Sequence, residues 1–308
     1  MEELAVEINT ATLSRLDSAI TPRERIAAFV ELTKPRITFL IVLTSAAGFY
    51  LASVGSVNYR LLLSSMFGIT LLSSGVATIN QYMERDLDGL MRRTANRPLP
   101  TGKLLPWEAL AFGGGLIVLS EIYLAVLVNP LTALMGLTVI AGYLFGYTPL
   151  KTKTSLSTMV GAFPGAVPPL IGWTAARGEL SLEAWVLFAI MFLWQIPHTL
   201  AIAYLYREDF AKAGIQFLPV IDPDGASTNR QVLMHCGALW VVSFLPTLIG
   251  IAGALYFVTA FFLGAAFLSS GIKLVLTPSR ASARRLLFAS LIYLPMLLLV
   301  MALDLLPA

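Results

Sequence analysis

The chain reads as an all-α polytopic membrane protein, a bundle of nine transmembrane helices whose active-site loops face the cytoplasm. Composition gives the first reason. Mean hydropathy is +0.77, 57% of the residues are apolar and 13% are charged, where a soluble domain carries about 25% charge. The second is length: nine apolar segments can cross a bilayer, at residues 38–54, 61–79, 107–128, 131–148, 155–176, 182–204, 230–250, 254–274 and 286–303. The third is the distribution of Lys and Arg. With the N-terminus inside, 19 of the 21 basic residues fall on the cytoplasmic side, leaving Arg60 and Arg177 outside. Nine spans then put the C-terminus outside, and the net charge of +3 describes a basic inner face rather than a nucleic-acid binder.

Residues 1–37 form a cytoplasmic tail ahead of the membrane domain at 38–308. The tail carries Glu2, Glu3, Glu7 and Asp17 without an apolar core, so it is neither a signal peptide nor a basic transit peptide. From Thr21 to Arg36, the residues Ile26, Phe29, Val30 and Leu32 recur at helical spacing between charges, which predicts a short interfacial helix. Residues 1–20 read equally well as a disordered tail. The single cysteine, Cys236, excludes an internal disulfide and a cysteine-rich metal site.

Two connections are long, 80–106 and 205–229, and both are cytoplasmic by the charge rule. Loops of that length usually carry function. Each follows a polar set: Asn80, Glu84 and Asp88 in one case, Gln195, His198, Glu208 and Asp209 in the other. The four-helix interval between them hints at a weak internal repeat. If the second helix continues to a cap at Gly89, Asn80, Glu84 and Asp88 stack on one face with Cα atoms about 6 Å apart. Acids at a helix C-terminus oppose its dipole, so a hard divalent cation or a solvated charge cluster is the choice they present. Arg92, Arg93, Arg97 and Lys103 follow at once, and Lys151 and Lys153 lie in the next inner loop. Cations beside a carboxylate–metal site make sense around an anion such as a diphosphate, since Mg2+ is typically held by one or two carboxylates plus substrate phosphates and guanidinium groups grip phosphate oxygens.

Pro168 and Pro169, between Gly165 and Gly172, break the fifth span, which is tolerated where backbone faces protein or a cavity. In the sixth span, Trp194, Gln195, Pro197 and His198 bring an imidazole and an amide into a membrane segment, a functional signal. His235, without polar company, reads as structural. Glu121 lies well inside the third span with no partner identifiable from sequence.

These residues resemble the UbiA-type intramembrane prenyltransferases. The matching stretches are Thr33-Lys34-Pro35-Arg36, Asn80 through Asp88, Met91-x-Arg93-Thr94-x-x-Arg97-Pro98-Leu99-Pro100, Pro168 through Trp173, Trp194-Gln195-x-Pro197-His198, Asp209-x-x-x-Ala213-Gly214-Ile215 and Leu218-Pro219-Val220. Within the family they are similar to the branch that farnesylates heme. The resemblance implies a nine-helix bundle in the cell (inner) membrane that transfers farnesyl from farnesyl diphosphate to the vinyl group of heme b, giving heme O and diphosphate. It implies Mg2+ held by Asn80, Glu84, Asp88 and Asp209, the catalytic set, and diphosphate held by Arg92, Arg93, Arg97, Lys151 and Lys153. It also implies heme contacts from His198, Trp194 and Gln195, carbocation-facing rings at Tyr143, Tyr147 and Trp194, and association with heme A synthase or cytochrome oxidase assembly factors. Thr199 and Leu200 after the histidine, Ser157 and Thr152 depart from the family pattern. Two alternatives stay open at this stage: a UbiA-type enzyme acting on an aromatic or quinone precursor, and a membrane transporter.

Overall fold

The computed structural model describes residues 20–53 and 55–306; the expectations for residues 1–19 lie outside them. Among the described residues there are helices and no strands, with one isolated bridge between Ala252 and Leu305.

Helix α1 (Pro22–Leu32) starts on a capping box. Thr21 Oγ1 accepts from the Glu24 amide at 3.3 Å, and Glu24 accepts from the Thr21 amide at 2.9 Å. The helix does more than lie on the inner surface. Ala28 and Leu32 pack on Leu99, Leu104 and Ala109, Phe29 meets Phe112 edge-on at 5.1 Å, and Arg25 pairs with Glu108. It therefore straps the first inner loop to the bundle. Lys34 follows with φ 47° and ψ 63°, the one left-handed non-glycine backbone among the described residues. The next residue, Pro35, disfavours the ordinary helical conformation at Lys34, and a left-handed L-residue costs about 1–2 kcal/mol.

Helix α2 (Pro35–Ala52) leads to α3 (Tyr59–Leu90). At 32 residues α3 is about 48 Å long, against a hydrocarbon core of about 30 Å. Its last turns carry Asn80, Glu84 and Asp88 while still helical. The first long connection thus begins at Met91, not at residue 80, and the helix ends at Leu90 without a Gly89 cap. Helices α4 (Pro106–Leu127) and α5 (Pro130–Leu150) follow. The latter turns π-helical over Ala141–Tyr147, a feature without a sequence signal.

The fifth expected span is two ten-residue helices, α6 (Ser157–Ala166) and α7 (Pro168–Arg177). Val167 keeps helical angles, φ −73° and ψ −27°, but Pro168 and Pro169 have no N–H to continue the ladder. Among the described residues eight helices are thus long and apolar enough to span, and the broken pair occupies the place of the expected fifth segment. The break sits where backbones meet closely: a Cβ on Gly172 would fall 1.8 Å from the Ser45 carbonyl oxygen, and one on Gly48 would fall 2.2 Å from that of Pro169. Only glycine lets α2 and α7 cross at that distance.

Helix α8 (Leu182–Leu205) runs through Pro197; the short α9 (Arg207–Lys212) and α10 (Leu218–Ile221) follow. Three further spans complete the chain: α11 (Ala226–Leu248), α12 (Ala254–Leu276) and α13 (Arg280–Leu303). One apolar core joins α8 to α11, α12 and α13; another lies among α3, α4, α5 and α7. A third, smaller cluster of Met91, Ala203, Phe210, Ala213, Ile215 and Phe217 packs the first inner loop on the second, so the two long connections share one face.

Candidate active site

Four-residue spacing on an unbroken helix puts Asn80, Glu84 and Asp88 on one buried face, at 1%, 8% and 1% exposure. Each oxygen donor meets a cation from a different element. Lys34 Nζ donates to Asn80 Oδ1 at 3.1 Å, Lys151 Nζ to Glu84 Oε1 at 2.5 Å, and Arg97 Nη1 to both Asp88 oxygens at 2.8 and 2.7 Å. Arg97 reaches back because the connection turns tightly after α3, where Thr94 Oγ1 donates to the Asp88 carbonyl at 2.8 Å. Asn80 Nδ2 donates to Thr148 Oγ1 at 3.2 Å, and that hydroxyl donates to the Tyr143 carbonyl at 2.9 Å, at the C-terminal end of the π-helical turn.

Lys34 is the site residue that sequence reasoning missed. Its only advance signals were membership of the Thr-Lys-Pro-Arg stretch and the following proline. Burial, with Arg97 adding to it, brings the Lys34 ammonium down from 10.5 to about 7. At Lys151 burial acts against the charge, but Tyr147 and Glu84 outweigh it and hold the ammonium above its ordinary range. Lys151 also lies 4.3 Å from the Tyr147 ring centroid, and Tyr147 leans on Tyr143 at 5.2 Å.

The remaining expected cations are placed differently. Arg93 stacks on the rings of Phe210 and Tyr206 at 4.8 and 5.6 Å, bridging the two inner loops. Arg92 and Lys153 are exposed and make no ion pair among the described residues. Asp209, expected as a fourth oxygen, is half-buried on α9 and its carboxylate makes no hydrogen bond or ion pair among the described residues. The reason is local: α8 ends at Leu205, Tyr206 leaves helical geometry, and Asp209 rides on a separate short helix. No three His, Cys, Asp or Glu side chains among the described residues come together to hold a metal. What does assemble is two carboxylates and an amide oxygen, hard donors suited to an Mg2+ that takes further ligands from substrate phosphates.

An apolar cavity opens beside this cluster. It encloses about 730 Å³ including the part open to its surroundings. Lys34 and Tyr143 stand in its lining, with Ile37, Ile69, Leu72, Val139 and Ile171 among the apolar walls. One residue, Lys34, thus belongs to both the charged cluster and the greasy cavity.

The second polar set is bound to main-chain carbonyls and one side-chain hydroxyl. His198 Nδ1 lies 2.8 Å from Ser290 Oγ and its ring stacks on Trp194 at 4.8 Å and 22°; Trp194 Nε1 donates to the Ser290 carbonyl at 2.8 Å. Gln195 Nε2 donates to the carbonyls of Ala162 and Met191 at 3.0 and 3.1 Å, so its donors tie α8 to α6. Trp194 therefore sits with His198, away from the Tyr143–Tyr147 pair expected to share its role. His235 Nδ1 bonds the Gln231 carbonyl on its own helix at 2.8 Å, in keeping with a structural histidine. Glu121 has both oxygens sealed without a partner against Gly136 and belongs to neither set.

The chain has close relatives. The family described as the UbiA prenyltransferase family matches residues 41–292. A curated relative from Solibacter usitatus, named protoheme IX farnesyltransferase, is 47% identical over 285 residues, covering 90% of this chain and 98% of the relative. A solved structure of digeranylgeranylglyceryl phosphate synthase in membranes superposes with a TM-score of 0.76 at 16% identity, over 91% of this chain and 98% of that one. A UbiA homolog from Archaeoglobus fulgidus bound to GPP and Mg2+ gives a TM-score of 0.63 at 15% identity, over 89% and 99%. With a helical bundle, a buried Asn–Glu–Asp ladder and these matches together, the chain belongs to the UbiA prenyltransferase family.

Proposed function

We propose that the chain transfers a farnesyl group from farnesyl diphosphate to the vinyl group of heme b. The observation that carries the reading is the buried ladder of Asn80, Glu84 and Asp88 faced by Lys34, Lys151 and Arg97 at the mouth of an apolar cavity. A polyanion with a hydrocarbon tail satisfies both halves, and the curated relative that shares 47% identity bears the farnesyltransferase name. The hard oxygen donors suit Mg2+, which Asn80, Glu84 and Asp88 would hold and which, when bound, supplies positive charge to the diphosphate. Asp209, on the short helix of the second long connection, would add a further carboxylate if bound phosphate draws the two connections together.

The chain's own residues do the rest. Lys34, Lys151 and Arg97 are released from the ladder to the diphosphate oxygens, with Arg92, Arg93 and Lys153 lining the approach. The allylic C1–O bond breaks, the electron pair leaves with diphosphate, and cations stabilise that developing charge. The rings of Tyr143 and Tyr147 stand beside the carbocation. The vinyl π electrons of heme b form the new carbon–carbon bond, water adds its oxygen to the resulting cation and loses a proton, and a hydroxyethylfarnesyl side chain remains. His198, with Trp194 and Gln195 holding its helix, contacts the heme. The reaction is assigned to the cytoplasmic face of the cell membrane, and an apolar heme product favours hand-over within the bilayer to heme A synthase or an oxidase assembly factor.

Purified protein incubated with farnesyl diphosphate, heme b and Mg2+ tests the reading by mass analysis of the heme. Hydroxyethylfarnesyl heme is the expected product. Prenylation of an aromatic quinone precursor with heme untouched would overturn it.

A further inference from the structure

Trp194 and His198 are four residues apart on α8, and both end on one residue of α13, Ser290, which is fully buried. Ser290 Oγ also lies 2.6 Å from the Leu287 carbonyl, to which it donates. A hydroxyl has one hydrogen. With that hydrogen committed to Leu287, Ser290 Oγ faces His198 as an acceptor, and the imidazole must present Nδ1–H. A doubly protonated ring would be costly in a membrane segment, so Nε2 carries a lone pair. Nε2 makes no hydrogen bond among the described residues.

We propose that Ser290 is a positioning residue that fixes His198 as its Nδ1–H tautomer and so presents the Nε2 lone pair to a metal-centred, flat acceptor. Histidine ligands are commonly set in this way, the partner of one nitrogen deciding what the other can do. The stack on Trp194 fixes the ring plane, and the indole bond to the Ser290 carbonyl keeps the two helices in register around it. The second half of the inference rests on heme b as acceptor; the tautomer does not.

The chain has two histidines, so 15N NMR of histidine-labelled protein in detergent resolves both. His235 serves as an internal reference, since its Nδ1 bonds a main-chain carbonyl and is Nδ1–H as well. Assignment comes from His235→Asn. In the heme-free protein His198 is expected to show a protonated Nδ1 and a bare Nε2; Ser290→Ala should move His198 toward the other tautomer, leave His235 unchanged, and be reversed by Ser290→Thr. An Nε2–H signal for His198 in the unaltered protein overturns the proposal, and that spectrum decides the point even where Ser290→Ala does not fold. Ferric heme b titration then follows by absorbance. Ser290→Ala is expected to weaken heme binding by about 10–100-fold with farnesyl diphosphate binding retained, and Ser290→Thr to restore it. A tautomer that shifts as expected while the heme spectrum and affinity stay those of the unaltered protein, in both Ser290→Ala and His198→Ala, overturns the heme half alone and, with it, the role given to His198.

Discussion

The two polar sets that precede the long connections look alike in sequence and are built in opposite ways. Asn80, Glu84 and Asp88 occupy one unbroken helix, and each of the three is met by a cation brought from elsewhere. Trp194, Gln195 and His198 are neutral, and their donors reach carbonyls on α6 and α8 and both the carbonyl and the hydroxyl of Ser290 on α13. Asp209, the acid that would have made the second set resemble the first, is carried off on a separate short helix. The difference teaches that similar polar sets in sequence are partnered differently in the fold: one by charges, the other by neutral groups. A cluster of two carboxylates, one amide and three cations can exchange its internal pairs for a metal and a polyanion. A neutral set bonded to backbone suits an apolar, uncharged plane.

The largest effects should come from the ladder. Glu84→Gln or Asp88→Asn is expected to lower turnover by about 10²–10³-fold, the scale of losing one stabilising contact to a developing charge, with thermal melting in detergent little changed. Asp209→Asn should cost clearly less than Asp88→Asn in the same product assay. Equal losses at both positions would restore the idea of two matched acidic motifs.

Next is Lys34→Gln, expected to weaken farnesyl diphosphate binding and to change its pH dependence. In the folded, substrate-free protein the Lys34 charge is lost as pH rises through about 7, while the unfolded chain keeps it up to 10.5. The unfolded state thus binds more protons between these values, so this residue makes the fold more stable as pH rises even as the grip on an anion falls. Diphosphate affinity measured from pH 6 to 9 should decline in the unaltered protein and flatten in Lys34→Gln. A parallel decline in both would detach Lys34 from the anion site.

Much of the first set was legible in the sequence, because a four-residue repeat defines a helix face wherever the helix continues. The membrane-spanning segments were legible too, since their length and apolar composition can be read one segment at a time. Partners were not legible. Lys34 meets Asn80 across 46 residues, Lys151 meets Glu84 across 67, and Ser290 meets His198 across 92; periodicity says which way a side chain faces, not what waits there. The proline pair announced the broken fifth span, but the π-helical turn at Ala141–Tyr147 left no trace beyond Gly142 and Gly146. The short helix that carries Asp209 was not legible either, because the end of α8 falls between it and His198.

The smallest effect sharpens the comparison from the other side. Gln195→Leu removes two bonds to main-chain carbonyls, each worth about 1 kcal/mol, and is expected to lower the melting temperature while leaving affinity for both substrates close to that of the unaltered protein. A selective loss of heme affinity would instead give Gln195 the direct heme contact.

The central claim is that the charged set serves the diphosphate and the neutral set serves the heme, and paired binding measurements on two variants test it most directly. Heme b and a non-hydrolysable farnesyl diphosphate analogue, with Mg2+, are titrated into Asp88→Asn and His198→Ala on the same preparations used for melting. The account predicts a crossed result: Asp88→Asn loses the analogue and keeps heme, and His198→Ala loses heme and keeps the analogue. Loss of the same substrate in both variants would contradict it.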